Sequence, residues 1–214
     1  MRRFHVLDLA LAAMFVALMA IGANIVSWAP FLQVAGIPLS MQPFFAILAG
    51  LLLGSRLGAL SMTVYMLVGV AGAPIFANFK AGFGALLDPT GGFIIAFIIV
   101  AYVSGKLVEQ KEKPTFSTFA IASFTGIILT YIIGTTYMYG AVNLFMGGKM
   151  SYKAAWMIMM WFAVKDIVFT IIGAIIAPRI YTMLYVVPLI SILIRRFHNK
   201  KELSYYVKIT LFLY

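Results

Sequence analysis

The sequence predicts an all-α fold: an integral membrane bundle of six transmembrane helices, with partly apolar external loops capping a ligand pocket. Three observations carry that prediction. Hydrophobic residues make up 64% of the chain and charged residues 10%, whereas soluble domains run near half and near a quarter. At about 20 residues per span, the 214 residues hold roughly six helices with short loops and no further soluble domain. Basic residues gather on alternate loops, as they do around membrane spans.

The spans are expected at residues 6–29, 42–53, 57–70, 91–108, 117–139 and 154–177. The N-terminus begins like a signal peptide, but its apolar run is too long for an h-region. Asn24-Ile25-Val26-Ser27 is also a poor small-residue cleavage site, so the segment reads as a retained first span. The second and third spans are short for a hydrocarbon core of about 30 Å. Only Gly54-Ser55-Arg56 separates them, a tight turn that requires an antiparallel helical hairpin.

With the N-terminus inside, cytoplasmic segments hold Arg2, Arg3, Arg56, Lys106, Lys111, Lys113 and Arg179, and the opposite side only Lys80, Lys149 and Lys153. That places both termini in the cytoplasm of a multi-pass cell-membrane protein. Asp8, near the cytoplasmic end of the first span, is expected to neutralise Arg2 or Arg3. The external connections 30–41 and 71–90 are rich in Gly and Pro yet apolar, which suits re-entrant or lid segments over a cavity better than solvated linkers. After Pro178 a short apolar run, 181–194, is interrupted by Pro188, and a basic, amphipathic stretch follows. Residues 1–182 therefore read as the membrane domain. Residues 183–214 read as a tail along the inner membrane surface, not a seventh span and without an assigned role.

The last span carries adjacent charges, Lys165 and Asp166, near its middle. Each costs roughly 2.5–3.5 kcal/mol at the bilayer centre, so such groups face a protein interior or cavity and point to function. Consecutive helical side chains diverge by about 100°, so the two are not expected simply to satisfy one another. Structural ion pairs to other helices are the plainer alternative.

Much chemistry is excluded. No GxxxxGK[ST] loop is present, so the chain does not hydrolyse ATP itself. His5 and His198 lie at opposite ends, which rules out HExxH-type zinc proteolysis, and no other metal site or cofactor is expected. An aspartyl protease needs two carboxylates sharing a site, but only Asp166 is deep in a span. No Ser, His and Asp set can be assembled, so an enzyme is not expected. The net charge of +10 is dispersed along loop ends, which fits a membrane surface and not nucleic acid. Cysteine is absent, so disulfides and thiolate metal sites are ruled out.

What remains is a set of polar groups able to converge at the external end of the bundle: Gln42, Asn78, Lys80, Lys165 and Asp166. Tyr65, Tyr139, Trp156, Trp161, Phe76 and Phe79 supply aromatic surface nearby. Mostly apolar walls with a few oriented donors and acceptors describe a small-ligand pocket. Taken singly, Asn78 also fits a turn, Lys80 a solvated surface and Gln42 a helix cap. In the first span Ala13 and Ala17, with Ala10 and Ala20 on the same broad strip, make a flat face on which another helix can pack.

The block from Ile37 to Phe97 carries Pro-Leu-Ser-Met-Gln, LAGLLLG, a basic hairpin turn, GVAGAPIFAN and DPTGG in register. It resembles the BioY family, the biotin-specific substrate-binding (S) components of energy-coupling-factor transporters, and the six-span layout extends the likeness to about residue 182. The resemblance implies capture of biotin outside the cell and delivery through a complex with a transmembrane coupling (T) protein and two cytoplasmic ATPase subunits. It implies that Asn78 and Asp166 meet the ureido ring of biotin, and that the Ala13 and Ala17 strip docks the T protein. The family often carries a lysine three residues after the aspartate. Here that position is Phe169, and Lys165 precedes Asp166 instead. Lys80 is the candidate cation for the biotin carboxylate. An S component for another vitamin, an ion-coupled secondary transporter using Lys165 and Asp166, and a purely structural membrane subunit are the competing readings.

Overall fold

The computed structural model describes residues 6–25, 33–34 and 37–196, with side chains at 6–25 and 39–184. Its helices are α1 (Val6–Asn24), α2 (Gln42–Val70), α3 (Gly84–Leu87), α4 (Gly91–Glu109), α5 (Phe116–Leu144) and α6 (Tyr152–Arg196), with a 3-10 turn at Ala77–Phe79. Five of them are long and apolar enough to cross a membrane. Two-residue strands β1 (Gln33–Val34) and β2 (Ile37–Pro38) pair antiparallel, Gln33 opposite Pro38 and Val34 opposite Ile37. The fold is otherwise helical among the described residues.

The hairpin expected at residues 54–56 is present inside α2. Gly54 alone leaves helical geometry, at φ 82° and ψ 175°, in a region that residues with a Cβ rarely occupy. The two arms, 42–53 and 55–70, fold back on each other: Gln42 Nε2 donates to Tyr65 Oη at 2.9 Å, although 23 residues separate them. A straight helix would hold those residues about 34 Å apart. With α2 counted as two arms, six helical segments alternate in direction.

Glu109, at the end of α4, fastens the turn. Its Oε1 accepts from Ser55 N–H at 2.8 Å and its Oε2 from Ser55 Oγ at 2.7 Å, which caps the orphan N-terminus of the second arm from another helix. Glu109→Ala is expected to lower stability by about 1–2 kcal/mol, the value of a charge-assisted cap, and Glu109→Gln by less. Thermal unfolding in detergent checks this.

Several boundaries move. The fifth span, expected at 117–139, runs Phe116–Leu144 and starts on a capping box between Thr115 and Thr118. The sixth, expected to end at 177, runs Tyr152–Arg196 through both Pro178 and Pro188. Proline removes one N–H without ending a helix when neighbours support the turn, and membrane helices tolerate it. The first span is helical to Asn24. Residues 26–29, Arg2, Arg3 and the basic stretch 197–214 lie outside the described residues, as do parts of the 30–41 segment.

The core is built by α2, α4 and α5, with α1 at one edge against α2 and the 3-10 turn, and α6 against α5 and α2. The ends of α1 and α5 and the starts of α2, α4 and α6 share one end of the bundle. The connection 71–90 crosses that end, as a lid segment should.

Candidate functional site

Beneath this connection lies a cavity holding about 690 Å³ of space between atoms, its open mouth included. The first arm of α2 contributes Gln42 and Pro43, the lid connection Phe76, Ala77, Lys80 and Ala85, and α4 Phe93, Ile94 and Phe97. Tyr131 from α5 and Met159, Phe162, Lys165 and Asp166 from α6 close the other side.

Asp166 is its chemical centre. The residue is 3% exposed, and Oδ2 accepts from the Tyr131 hydroxyl at 2.6 Å. The Lys165 ammonium lies 2.7 Å from Oδ1, but not in hydrogen-bond geometry, so this buried oxygen has no hydrogen-bond partner among the described residues. The expectation that adjacent helical charges could not meet is thus corrected. The Cβ vectors diverge, but the flexible lysine stem carries its charge back to the carboxylate. Lys165 also donates to the Ser40 carbonyl just before α2, and it lies 5.9 Å from the Phe169 ring centroid.

The opposite wall is tied together by hydrogen bonds. Tyr65, fully buried, accepts from Gln42 and donates to the Ile75 carbonyl at 2.9 Å. Phe76 packs edge-on against Tyr65, ring centroids 5.5 Å apart. Asn78 and Phe79 both adopt left-handed backbone, φ 59° and 55°. That is tolerated by asparagine and is an outlier for a bulky residue. Each such residue costs about 1–3 kcal/mol and persists only where its surroundings hold it. Lys80 forms an ion pair with Asp88 at the half-open mouth.

Gln42, Phe76, Lys80, Lys165 and Asp166 therefore come together as the sequence predicts. Tyr65 stands behind Gln42, and Asn78 follows the lining residue Ala77. Four expected members stand elsewhere: Trp156 packs on Tyr152, and Phe79 is 49% exposed in the lid turn. Trp161 is 70% exposed on the outer face of α6, and Tyr139, 38% exposed, packs on Tyr152 near the helix ends. Trp161 precedes Asp166 by five residues, about 140° round the helix, whereas Phe162 and Met159 fall within about 40° of it. Tyr131, which orients Asp166, was not anticipated. Ala13 and Ala17 lie on the exposed face of α1. Among the described residues no three His, Cys, Asp or Glu side chains cluster as metal ligands.

With a buried carboxylate ion-paired to an ammonium and apolar, aromatic walls, the cavity suits a compact ligand that offers polar donors and an acceptor from an apolar body. Comparison with known proteins gives the family and the fold. The model of the BioY family matches residues 1–185. The chain is 53% identical over 184 residues to a putative biotin transporter BioYB of Bacillus subtilis, covering 86% of this chain and 92% of that protein. It is 31% identical over 170 residues to a biotin transporter BioY of Thermotoga maritima, covering 79% and 92% respectively. Its fold is similar to the crystal structure of the S-component for biotin from an ECF-type ABC transporter: TM-score 0.68, 19% identity, 82% of this chain and 90% of that one covered.

Proposed function

The chain belongs to the BioY family, and from that premise we propose that it captures biotin and carries it across the cell membrane as the substrate-binding component of an ECF-type transporter. The observation that carries this reading is the buried Asp166 carboxylate, bonded by Tyr131 and ion-paired with Lys165, in an otherwise mostly apolar cavity. Biotin's ureido group offers two N–H donors to such a carboxylate and a carbonyl to an amide or ammonium, and its bicyclic body fits aromatic walls. A ligand without matching N–H donors would bury these charged groups without returning the hydrogen bonds lost to water, which supplies specificity.

Residues 1–182 are read as the substrate-binding membrane domain; α6 continues past that boundary to Arg196, and no role is assigned to 183–214. Both termini are cytoplasmic, by the distribution of basic residues. A T protein docks on the exposed Ala13 and Ala17 strip of α1, and two cytoplasmic ATPase subunits drive reorientation of the whole component. Ala side chains there let a partner helix approach closely.

The test is titration of the purified chain in detergent with labelled biotin, followed by competition. Saturable binding displaced by unlabelled biotin, and not by riboflavin or thiamine at equal concentration, is expected. Displacement by another vitamin instead would reassign the ligand. No binding by a folded protein would overturn the reading. In cells, uptake should vanish without the ATPase subunits and withstand a protonophore; the reverse pattern would make the chain an ion-coupled carrier.

A further inference from the structure

We propose that Asn24, the last residue of α1, is a positioning residue for the ligand site: its side-chain amide holds residues 75–79 in the left-handed turn that forms one cavity wall. Only the binding readout below rests on the biotin reading; the structural readout does not.

Asn24 is almost fully buried, and every hydrogen-bonding group of its amide is used. Oδ1 accepts from the Phe79 backbone N–H at 2.7 Å, while Nδ2 donates to the Ala20 carbonyl at 3.0 Å and to the Ile75 carbonyl at 3.4 Å. The bond to Ala20, one helical turn back, fixes the amide plane. The other two grip both ends of the 75–79 segment. That segment contains the only left-handed non-glycine residues among those described, Asn78 and Phe79. Backbone bonds from Phe76 N–H to the Lys80 carbonyl and from Lys80 N–H to the Ala77 carbonyl close the turn, and the Asn24 oxygen adds the bond at the strained Phe79 N–H.

The grip continues to the cavity. The Ile75 carbonyl has two lone pairs; Asn24 takes one and the Tyr65 hydroxyl the other. Tyr65 in turn accepts from Gln42, which lines the cavity. A continuous chain of hydrogen bonds thus joins α1, the lid turn and both arms of α2. Between the two gripped ends sits Phe76, buried against Tyr65 and the Cα of Gly69, where a methyl group would overlap its ring. Neither the hydroxyl of serine nor the branch of valine could supply one acceptor and two donors in a plane; asparagine does.

The experiment compares Asn24→Ala and Asn24→Asp with the wild type by amide hydrogen exchange and biotin titration in detergent. Asn24→Ala should speed exchange in the 75–80 segment about tenfold and weaken biotin binding about tenfold, the scale of one lost buried hydrogen bond. The core of α2 and α4 should stay protected. Asn24→Asp keeps the acceptor for Phe79 but sets a second oxygen against the Ala20 and Ile75 carbonyls, so exchange at 75–80 should be fast there too. Unchanged exchange at 75–80 in Asn24→Ala would overturn the proposal. So would faster exchange spread evenly over all helices in both variants, which would mark Asn24 as an ordinary packing residue. If the wild type bound no biotin, the proposed function would fall, and the exchange pattern would still decide the role of Asn24.

Discussion

Asp166→Asn is expected to weaken biotin binding by about 100-fold or more, because truncating one partner of a buried charged hydrogen bond costs about 2–5 kcal/mol. The substitution keeps the shape of the side chain and removes its charge. Lys165, 20% exposed at its side chain, then loses its counterion. The amide presents at most one acceptor oxygen, for which the Tyr131 hydroxyl already competes. Its NH₂ faces a donor, whether the ammonium or a ligand N–H, and two donors face to face repel. Lys80→Ala provides the contrast. Lys80 lies at the mouth, half exposed and already paired with Asp88, so its loss should change affinity by no more than about threefold. Isothermal titration of both variants decides. Equal losses would move the ligand out towards the mouth and remove Asp166 from the centre of the site.

The asymmetry between Asp166 and Lys80 was partly legible in the sequence. Depth in an apolar run marks Asp166, because a buried charge is expensive there whatever surrounds it. The hairpin was legible for an equally local reason: three residues between two apolar runs leave room for nothing else, and Gly54 supplies the positive φ that the turn needs. Helical period would also have separated Phe162 and Met159 from Trp161, since the angle from Asp166 depends only on spacing. Other features depended on tertiary context. Tyr131 stands in the run TYIIGTTYMYG, where any of three tyrosines could face inward, and only the packing of α5 on α6 selects one. Lys165 was misjudged because direction at Cβ says little about where a four-carbon stem ends. Asn24 carries no signal in sequence at all. It reads as a polar residue at a helix end, and its partners at 75 and 79 lie more than fifty residues away. The helix continuing through Pro178 and Pro188 departs from local propensity, as membrane helices tolerate.

Gly50→Leu is expected to prevent folding, with a cost above about 4 kcal/mol. In a bilayer, apolar side chains gain little by leaving lipid for protein, so helix association depends on close backbone approach and van der Waals contact. Gly50 is the point where three segments converge. A Cβ there would overlap the Ala101 carbonyl oxygen of α4, and across the hairpin a Cβ on Gly58 would lie 3.0 Å from the Gly50 Cα. Gly105, one turn further along α4, is equally close to the hairpin, a Cβ falling 2.7 Å from the Ser55 Cα. These contacts are to backbone, which cannot rotate aside as a long side chain would. A leucine at 50 must therefore push α4 away from both arms of α2. That separation would open the junction of Ser55 with Glu109 and shift Phe93, Ile94 and Phe97 out of the cavity wall. Even Gly50→Ala should lower the melting temperature clearly, because the methyl itself makes the overlap. Gly140→Ala on α5 is the control: nothing lies within 4 Å of its added Cβ. There alanine should be neutral or stabilise by about 0.5–1 kcal/mol through helix propensity. Size-exclusion chromatography and thermal unfolding in detergent separate the outcomes. A monodisperse Gly50→Leu protein melting like the wild type would mean that α2 and α4 do not meet at backbone distance, and the cavity built on their contact would have to be redrawn.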